Sequence, residues 1–310
     1  MTDVSVVIVS YESRELLGHC LAALAADAGR TAGTEVIVVD QASADGTAAW
    51  LAAEHPEVRL VALEENVGFG AGNNRGAAIA EGRWLLLLNS DAYVRAGAID
   101  ELVRFAGARS AIGVEGPRLL WPDGRLQRSC RRFPTVFRLA TEYLYLRKLA
   151  PRSRILNGFY CGDFDHGEPR RVDWLTGACL LVRRDLFERL GGFDEAFFLS
   201  SEEVDLLYRA RALGAETWYD PAAEVVHVWG GTAGRASALT LEEQARSHVR
   251  YFAKHASAAT ARRARVVLLA GLRLRSRRSA AYREAADWLG GRSVEDLLAA
   301  RRPAAGAAAD

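Results

Sequence analysis

The run Trp84-Leu85-Leu86-Leu87-Leu88-Asn89-Ser90-Asp91 sets five apolar residues directly before an amide, a hydroxyl and a carboxylate. The apolar part predicts a fully buried strand. A carboxylate at the end of such a strand is costly unless something compensates its charge. The carboxyl edge of an open α/β sheet is also where ligands sit. Two strand-like runs precede it, residues 4–10 and 35–40, and the second also ends on an acid, Asp40. Acidic strand ends facing a nucleotide crevice point to a divalent cation holding a diphosphate. The plainer alternative for Asp91 is a cap on the following helix.

Four further groups could do chemistry. Asp40 could accept the imide N–H of a uracil or thymine ring, or act as a second cap beside Asp45. The stretch 64–76 is Gly-rich and opens a helix, so its amides could approach an anion. It fails as a dinucleotide fingerprint, because Asn73 stands where the third glycine after Gly68 and Gly70 belongs, and the chain has no Gly-Lys-Ser/Thr triplet. A tight turn explains it equally well. Glu202, Glu203 and Asp205 open another predicted helix, where acids stabilise the macrodipole. The preceding Phe197-Phe198-Leu199 anchors that segment in the core and aims at least one acid inward, a candidate general base. His227 ends a Val-rich run; it is a structural histidine or, beside Asp91, a second metal ligand.

Positioning these groups requires alternating strands and helices. Residues 4–10, 35–40, 58–63, 84–89 and 112–116 read as strands. Residues 13–26 (capped by Ser13), 45–54, 71–80 and 97–106 read as helices. Such βα units predict a parallel sheet with helices on both faces. The pattern breaks between Arg118 and Arg171, where only 136–149 looks helical and 151–169 is irregular; a long irregular insertion is usually functional. Order returns with a strand at 172–182, helices at 184–190 and 201–213, and strands at 216–219 and 224–227. Helices are expected from 241 to 298, then a disordered tail at 299–310.

Composition narrows the class. The 310 residues are half apolar and a quarter charged, with a net charge of +1, so no nucleic-acid partner is implied. Cys20, Cys130, Cys161 and Cys179 stand far apart and read as reduced, buried thiols. The N-terminus lacks the charged-then-apolar pattern of a signal sequence, and no run approaches the ~18 apolar residues of a membrane span. A cytoplasmic location follows as the expectation.

Taken together, the motifs resemble glycosyltransferase family 2, in its bacterial rhamnosyltransferase-like branch that builds cell-surface polysaccharides. The resemblance runs over roughly residues 3–235. It rests on Val4-Ser5-Val6-Val7-Ile8-Val9-Ser10-Tyr11, Val39-Asp40 with Asp45-Gly46-Thr47, Asn66-Val67-Gly68-Phe69 with Asn74-Arg75-Gly76, and Leu88-Asn89-Ser90-Asp91. It continues in Trp174-Leu175-Thr176-Gly177-Ala178, Gly191-Gly192-Phe193-Asp194-Glu195, Glu202-Glu203-Val204-Asp205 with Arg209, and Val226-His227 ahead of Gly230-Gly231.

The resemblance implies a GT-A (Rossmann-like) α/β fold with a mainly parallel central sheet, helices on both faces and C-terminal helices. The catalytic domain would span 1–240, with a nucleotide-sugar-binding half at 1–118 and an acceptor half at 119–240. The implied activity is inverting, metal-dependent transfer from a nucleoside-diphosphate sugar (dTDP or UDP) to a glycan or polyprenyl-linked acceptor, with L-rhamnose from dTDP favoured. On these matches Ser10, Tyr11, Asp40, Asn66, Gly68, Phe69, Asn74, Asn89 and Ser90 would bind the donor. Trp174, Thr176, Gly177 and Asp205 would bind the acceptor. Asp91 and His227 would hold Mn²⁺ or Mg²⁺, and the pair Glu202-Glu203 occupies the position of the base, with Glu203 expected to act.

Two positions depart from the family pattern. Asn89 replaces the first acid of the D-x-D motif; an amide is a poorer cation ligand, so Asn89 is expected on the ribose or a metal-bound water. Glu203 stands where the branch has Asp, one methylene longer. Two other readings compete. A sugar nucleotidylyltransferase would carry a Gly-rich loop after the first strand, where this chain has Ser10-Tyr11-Glu12-Ser13. A catalytically silent sugar-nucleotide-binding protein has only Asn89 and Glu203 in its favour. Finally, eight arginines between 262 and 283 surround Val266, Val267, Leu268, Leu269 and Leu272, predicting either a basic amphipathic helix on anionic lipid at the inner membrane face or an ordinary packed helix.

Overall fold

Alternation along the first strand builds two cores at once. In β1 (Val4–Ser10), Val7 joins one apolar cluster while Val4, Val6 and Ile8 join the other, on the opposite face of the sheet. Strands covered on both faces read as continuous apolar runs, and β1 is buried at every residue. The computed structural model describes residues 2–27, 32–228, 237–277 and 279–299.

After β1 come α1 (Arg14–Ala26), β2 (Thr34–Asp40), α2 (Thr47–Glu54), β3 (Arg59–Ala62), α3 (Phe69–Ala77), β4 (Trp84–Asn89), β5 (Ala92–Val94), α4 (Ala98–Gly107) and β6 (Ile112–Leu120). The irregular insertion holds β7 (Leu126–Gln127), β8 (Cys130–Arg131) and α5 (Val136–Tyr143). Beyond it lie β9 (Arg170–Val172), β10 (Trp174–Leu175), β11 (Cys179–Arg183), α6 (Arg184–Arg189), α7 (Glu202–Ala212) and β12 (Glu216–His227). The chain continues through α8 (Ala238–His255), α9 (Ala258–Arg275), α10 (Ala280–Gly290) and α11 (Val294–Leu298).

The main sheet runs β3-β2-β1-β4-β11-β6-β12-β5. Its first four strands are parallel, as the βα repeats predict, and β6 and β12 are parallel too. Strand order reverses between β1 and β4, which opens a crevice at their carboxyl ends. That edge carries Ser10, Asp40 and Asn89 side by side, in the registers Ser10↔Asp40 and Val9↔Asn89.

Several boundaries differ from the sequence expectation. The single strand expected at 172–182 is three, because the polar turn at Thr176-Gly177 interrupts it and β11 enters the sheet antiparallel to β4. The two strands expected at 216–219 and 224–227 are one, kept continuous by a register shift between Asp220 and Glu224. The helix expected over 136–149 ends at Tyr143, and Tyr145 takes a positive φ of 60° before a 3-10 turn at Leu146–Leu149. Ser13 precedes α1 but makes no side-chain cap; its hydroxyl turns to Ser10 and Ser90 instead. Asp45 does the capping, accepting from Thr47 N at the start of α2 and from Arg14 N at the start of α1.

The Gly-rich stretch of α3 serves packing. A Cβ on Gly76 would collide with Val7, and one on Gly72 would lie 3.0 Å from Val9 Cγ1, so these glycines let α3 settle on β1. The C-terminal helices share the core of the second half: Phe197, Val204 and Leu207 cluster with Val249, Phe252 and Leu268. The apolar side of 262–283 is mostly internal. Leu268 and Leu272 are buried, and Gly271 admits Tyr143 so closely that a Cβ would lie 2.6 Å from its side chain. Arg275 turns inward onto Tyr143 O, Glu142 O and Tyr145 Oη. Among the described residues of this stretch, Val266 and Leu274 are the large apolar side chains left strongly exposed, and the rest of the apolar side of α9 packs inward. Among the described residues no helix is long and apolar enough to cross a membrane. The Gly230-Gly231 pair and nearly all of the expected tail lie outside the described residues.

Candidate active site

β5, a strand absent from the sequence reading, joins the two halves of the site. It follows Asp91 immediately and pairs antiparallel with β12, setting Ala92 opposite His227. The backbone closes the junction, Val228 N donating to Asp91 O at 3.0 Å. His227 Nε2 consequently lies 3.2 Å from Asp91 Oδ1, with both side chains less than a tenth exposed.

Gln127, also missed by the sequence reading, orients this histidine. Its amide nitrogen donates to His227 O at 3.3 Å, which leaves Gln127 Oε1 to accept from His227 Nδ1 at 2.7 Å. With the proton on Nδ1, the Nε2 lone pair faces a carboxylate oxygen, a pairing that a divalent cation, or a hydrogen bond from a protonated Nε2, would satisfy. The donor set fits Mn²⁺ or Mg²⁺, the imidazole favouring the softer Mn²⁺. Among the described residues no cluster of three His, Cys, Asp or Glu side chains surrounds such an ion, so other positions fall to a ligand's oxygens or water.

The crevice itself is lined with acceptors that lack a protein donor. Asp40 is 2 % exposed; its Oδ2 accepts from Ser43 N, while Oδ1 is buried without a partner. Asn89 Oδ1 is likewise buried and unpartnered. Leaving such atoms unsatisfied costs about 1–3 kcal/mol each, so both positions fit groups that meet a ligand. Around them the loops are braced. Ser13 Oγ links Ser10 and Ser90 across the ends of β1 and β4. The loops after β1 and β2 are joined where Glu12 Oε1 accepts from Ala44 N and Ser43 Oγ accepts from Glu12 N. Glu12 and Ala42 hold positive φ there. Tyr11 is half-buried in the bend that follows Ser10. Gln41 Oε1 accepts from Val67 N, and Asn66 Oδ1 accepts from Gly68 N. Gly68 has φ +93°, and a Cβ there would lie 2.5 Å from Phe198 O.

The turn 176–178 connects this crevice to the acids of α7. Ala178 O accepts from Asn89 N at 3.0 Å. Gly177 lies between the Phe69 ring and Glu203: a Cβ on it would be 3.7 Å from Phe69 Cε1 and 3.8 Å from Glu203 Cβ and Cγ. Ser200 and Ser201, both at positive φ, deliver Glu202 and Glu203 into this space. Each glutamate keeps one buried oxygen without a partner. Burial raises both carboxyls above the usual range, and the neighbouring charge of Glu203 raises Glu202 further. Glu203 is held back by backbone donors, Gly177 among them, and by the buried cation of Arg131. Glu202 packs toward Gly70 on α3 and is 5 % exposed, whereas Glu203 borders the turn and is partly open.

Three of the expected contact residues make structural contacts within the fold. Trp174 is buried, its indole N–H donating to Arg132 O and its ring against Phe159. Asn74 spends its amide on Phe193 N, Phe193 O and Glu195, clamping α3 to the 192–195 turn. Asp205 is fully buried and bound by Arg209, Lys254 and His255, so it fastens α7 to α8. Thr176 stays half-buried at the turn, its N–H on Ser129 O.

Comparison with known proteins identifies the family and the fold. The family model for Glycosyl transferase family 2 matches residues 5–191. The chain is 34 % identical over 253 residues to the N-acetylglucosaminyl-diphospho-decaprenol L-rhamnosyltransferase of Mycobacterium tuberculosis, covering 78 % of this chain and 81 % of the relative. In structure it resembles the mannosyltransferase PcManGT of Pyrobaculum calidifontis, solved with GDP-Man and Mn²⁺ (TM-score 0.55, 19 % identity, 93 % of this chain and 79 % of that one). It also resembles S. aureus TarS 1-349 (TM-score 0.51, 18 % identity, 90 % and 73 %). The chain belongs to glycosyltransferase family 2: it is a glycosyltransferase of the GT-A fold, similar in sequence to a rhamnosyltransferase.

Proposed function

We propose that this glycosyltransferase moves a sugar, L-rhamnose from a dTDP donor being the favoured case, to a hydroxyl of a cell-surface glycan or polyprenyl-linked acceptor, with inversion at the anomeric carbon. The observation that carries this reading is the pair of buried, unsatisfied acceptors Asp40 Oδ1 and Asn89 Oδ1 in the β1/β4 crevice, with Asp91 beside His227 and Gly177 beside Glu203. Asp40 Oδ1 would take the imide N–H of the nucleobase, which suits thymine and uracil alike. Asn89 and Ser90 would meet the ribose or a water near the diphosphate. Asp91 and His227 would hold Mn²⁺ or Mg²⁺, and that ion, when bound, would offset the charge of the departing diphosphate. Glu203 would accept the proton of the acceptor hydroxyl as it attacks the face opposite the leaving group. The raised carboxyl suits that role, since a base works best when its affinity for protons lies near the operating pH.

The donor class finds support in the name of the mycobacterial relative, an L-rhamnosyltransferase whose acceptor is a diphospho-decaprenol-linked sugar. An acceptor of that kind would be met at a bilayer surface, so we infer peripheral attachment at the inner membrane face. The test is release of nucleoside diphosphate from a panel of dTDP-, UDP- and GDP-sugars with a short-chain polyprenyl-diphosphate-linked N-acetylglucosamine as acceptor, with the product's anomeric configuration read by NMR. Transfer from a dTDP-sugar with inversion is expected. Retention of configuration would overturn the single-displacement reading.

A further inference from the structure

A cavity of about 500 Å³ lies away from the crevice, and six of its lining residues are Arg132, Arg138, Arg154, Arg170, Arg171 and Arg211. It sits beside the start of β12, at Glu216 and Thr217, whereas His227 is at the far end of that strand. Arg211 lies two turns along α7 from Glu203, about 12 Å down the axis. A phosphate held here is therefore not part of the donor crevice.

The charge around the cavity does not balance internally. Asp163 accepts from Arg132 with both oxygens, Arg171 pairs with Glu216, and Arg211 pairs with Asp173. These acids leave Arg138, Arg154 and Arg170 in surplus, Arg170 sharing Asp163 only at 3.6 Å. The Arg171 and Arg211 side chains are themselves 60 % exposed, so their ion pairs are weak and open to exchange. A concave group of guanidinium forks with surplus positive charge suits phosphate oxygens.

Large apolar residues next to these arginines in sequence are left uncovered. Phe137 is 52 % exposed and adjoins Arg138; Ile155 is 68 % exposed and adjoins Arg154; Leu213 is 49 % exposed, two residues from Arg211. Leu149, at 78 %, lies on the same insertion with Arg147, Lys148 and Arg152 around it. Large side chains left in water beside clustered cations are the two components of an interfacial membrane surface, whose apolar groups enter the acyl boundary while cations meet headgroups.

We propose that the insertion around 137–155 and the arginine cavity form a docking surface for an anionic phospholipid bilayer, the cavity taking a headgroup phosphate. This deepens the peripheral-membrane reading, and it does not depend on the transfer chemistry because its readout is vesicle binding. It also moves the contact from α9, whose apolar side is spent on the helical core, to the insertion.

Flotation of the full chain with phosphatidylcholine vesicles, with and without phosphatidylglycerol, tests the proposal. Binding is expected only to the anionic vesicles and should weaken as salt rises. Arg138→Ala with Arg154→Ala should reduce binding roughly tenfold or more, given the contribution of each cation near an anionic surface. Phe137→Ser with Ile155→Ser, at exposed positions that leave the core intact, should also reduce it. Arg262→Glu with Arg263→Glu on α9 should have the smaller effect. Absence of binding to anionic vesicles, or loss only in the α9 variant, would overturn the proposal. So would a thermal shift with inorganic phosphate that depends on Arg138 and Arg154 in a chain that ignores vesicles, since the site would then serve a soluble anion. Membrane-independent sugar transfer in the Phe137/Ile155 variant would leave the catalytic reading standing on its own.

Discussion

His227 Nε2 faces Asp91 Oδ1 across 3.2 Å, and Gln127 holds the other side of the same imidazole at 2.7 Å. A carboxylate and a tautomer-fixed imidazole converge from strands far apart in the chain.

This pairing predicts a graded series. Asp91→Ala should abolish transfer with the fold intact. Gln127→Leu should lower Mn²⁺ affinity by about 10–100-fold, because the imidazole loses the partner that orients it. Calorimetric titration of Mn²⁺ into each variant, in the presence of nucleoside diphosphate, reads both effects. Unchanged affinity in Gln127→Leu would remove it from the site.

The two glutamates should separate by pH. Glu203→Gln should cut turnover by about 100-fold or more with little change in donor KM. Glu202→Gln should retain activity and leave the acid limb of the kcat profile nearly in place. The charge of Glu203 disfavours ionisation of Glu202, so Glu202 is still neutral when Glu203 releases its proton, and the amide replaces an uncharged acid. If Glu202→Gln is the inactive variant, the base has been assigned to the wrong acid.

Asp205 should matter to stability rather than to acceptor binding. Burial alone would raise its carboxyl, yet hydrogen bonds from His255 and Lys254 and the charge of Arg209 bring it down to about 2. A depressed carboxyl contributes stability in full above its unfolded value near ~3.9, and that contribution fades as pH falls through its folded value. Asp205→Asn should cost about 3 kcal/mol in urea unfolding at neutral pH, by stranding the cations between α7 and α8. A loss of acceptor affinity at unchanged stability would contradict this.

Glu115 behaves in the opposite sense. It is fully buried in β6 with neither oxygen partnered, and burial, with Asp220 and Glu101 nearby, pushes its carboxyl up to about 10. The folded chain therefore keeps a proton that the unfolded chain releases near pH ~4.3, so stability declines as pH rises between those values. Glu115→Gln should flatten that decline and raise Tm at alkaline pH, by roughly 2–4 °C for each kcal/mol recovered. Parallel slopes of Tm against pH in the two proteins would show that Glu115 is ionised in the fold.

Much of this molecule is written locally. The apolar runs of β1 and β4, the acids that end β2 and follow β4, and the order of short motifs are enough for an α/β sheet, its ligand-bearing edge and its family, since period and strand-end chemistry are properties of neighbouring residues. What a linear reading lacks is contact between distant segments. Trp174, Asn74 and Asp205 sit within recognisable motifs, yet the fold uses them for packing, clamping and charge pairing. Gln127 gives no sign in sequence because its role exists only where β7 meets the end of β12. β5 is three residues long, too short to show a period, and yet its pairing with β12 is what sets His227 beside Asp91. Side-chain partners, burial and the direction of each carboxyl's proton affinity were decided by tertiary packing, because they depend on which surfaces water leaves when the chain closes.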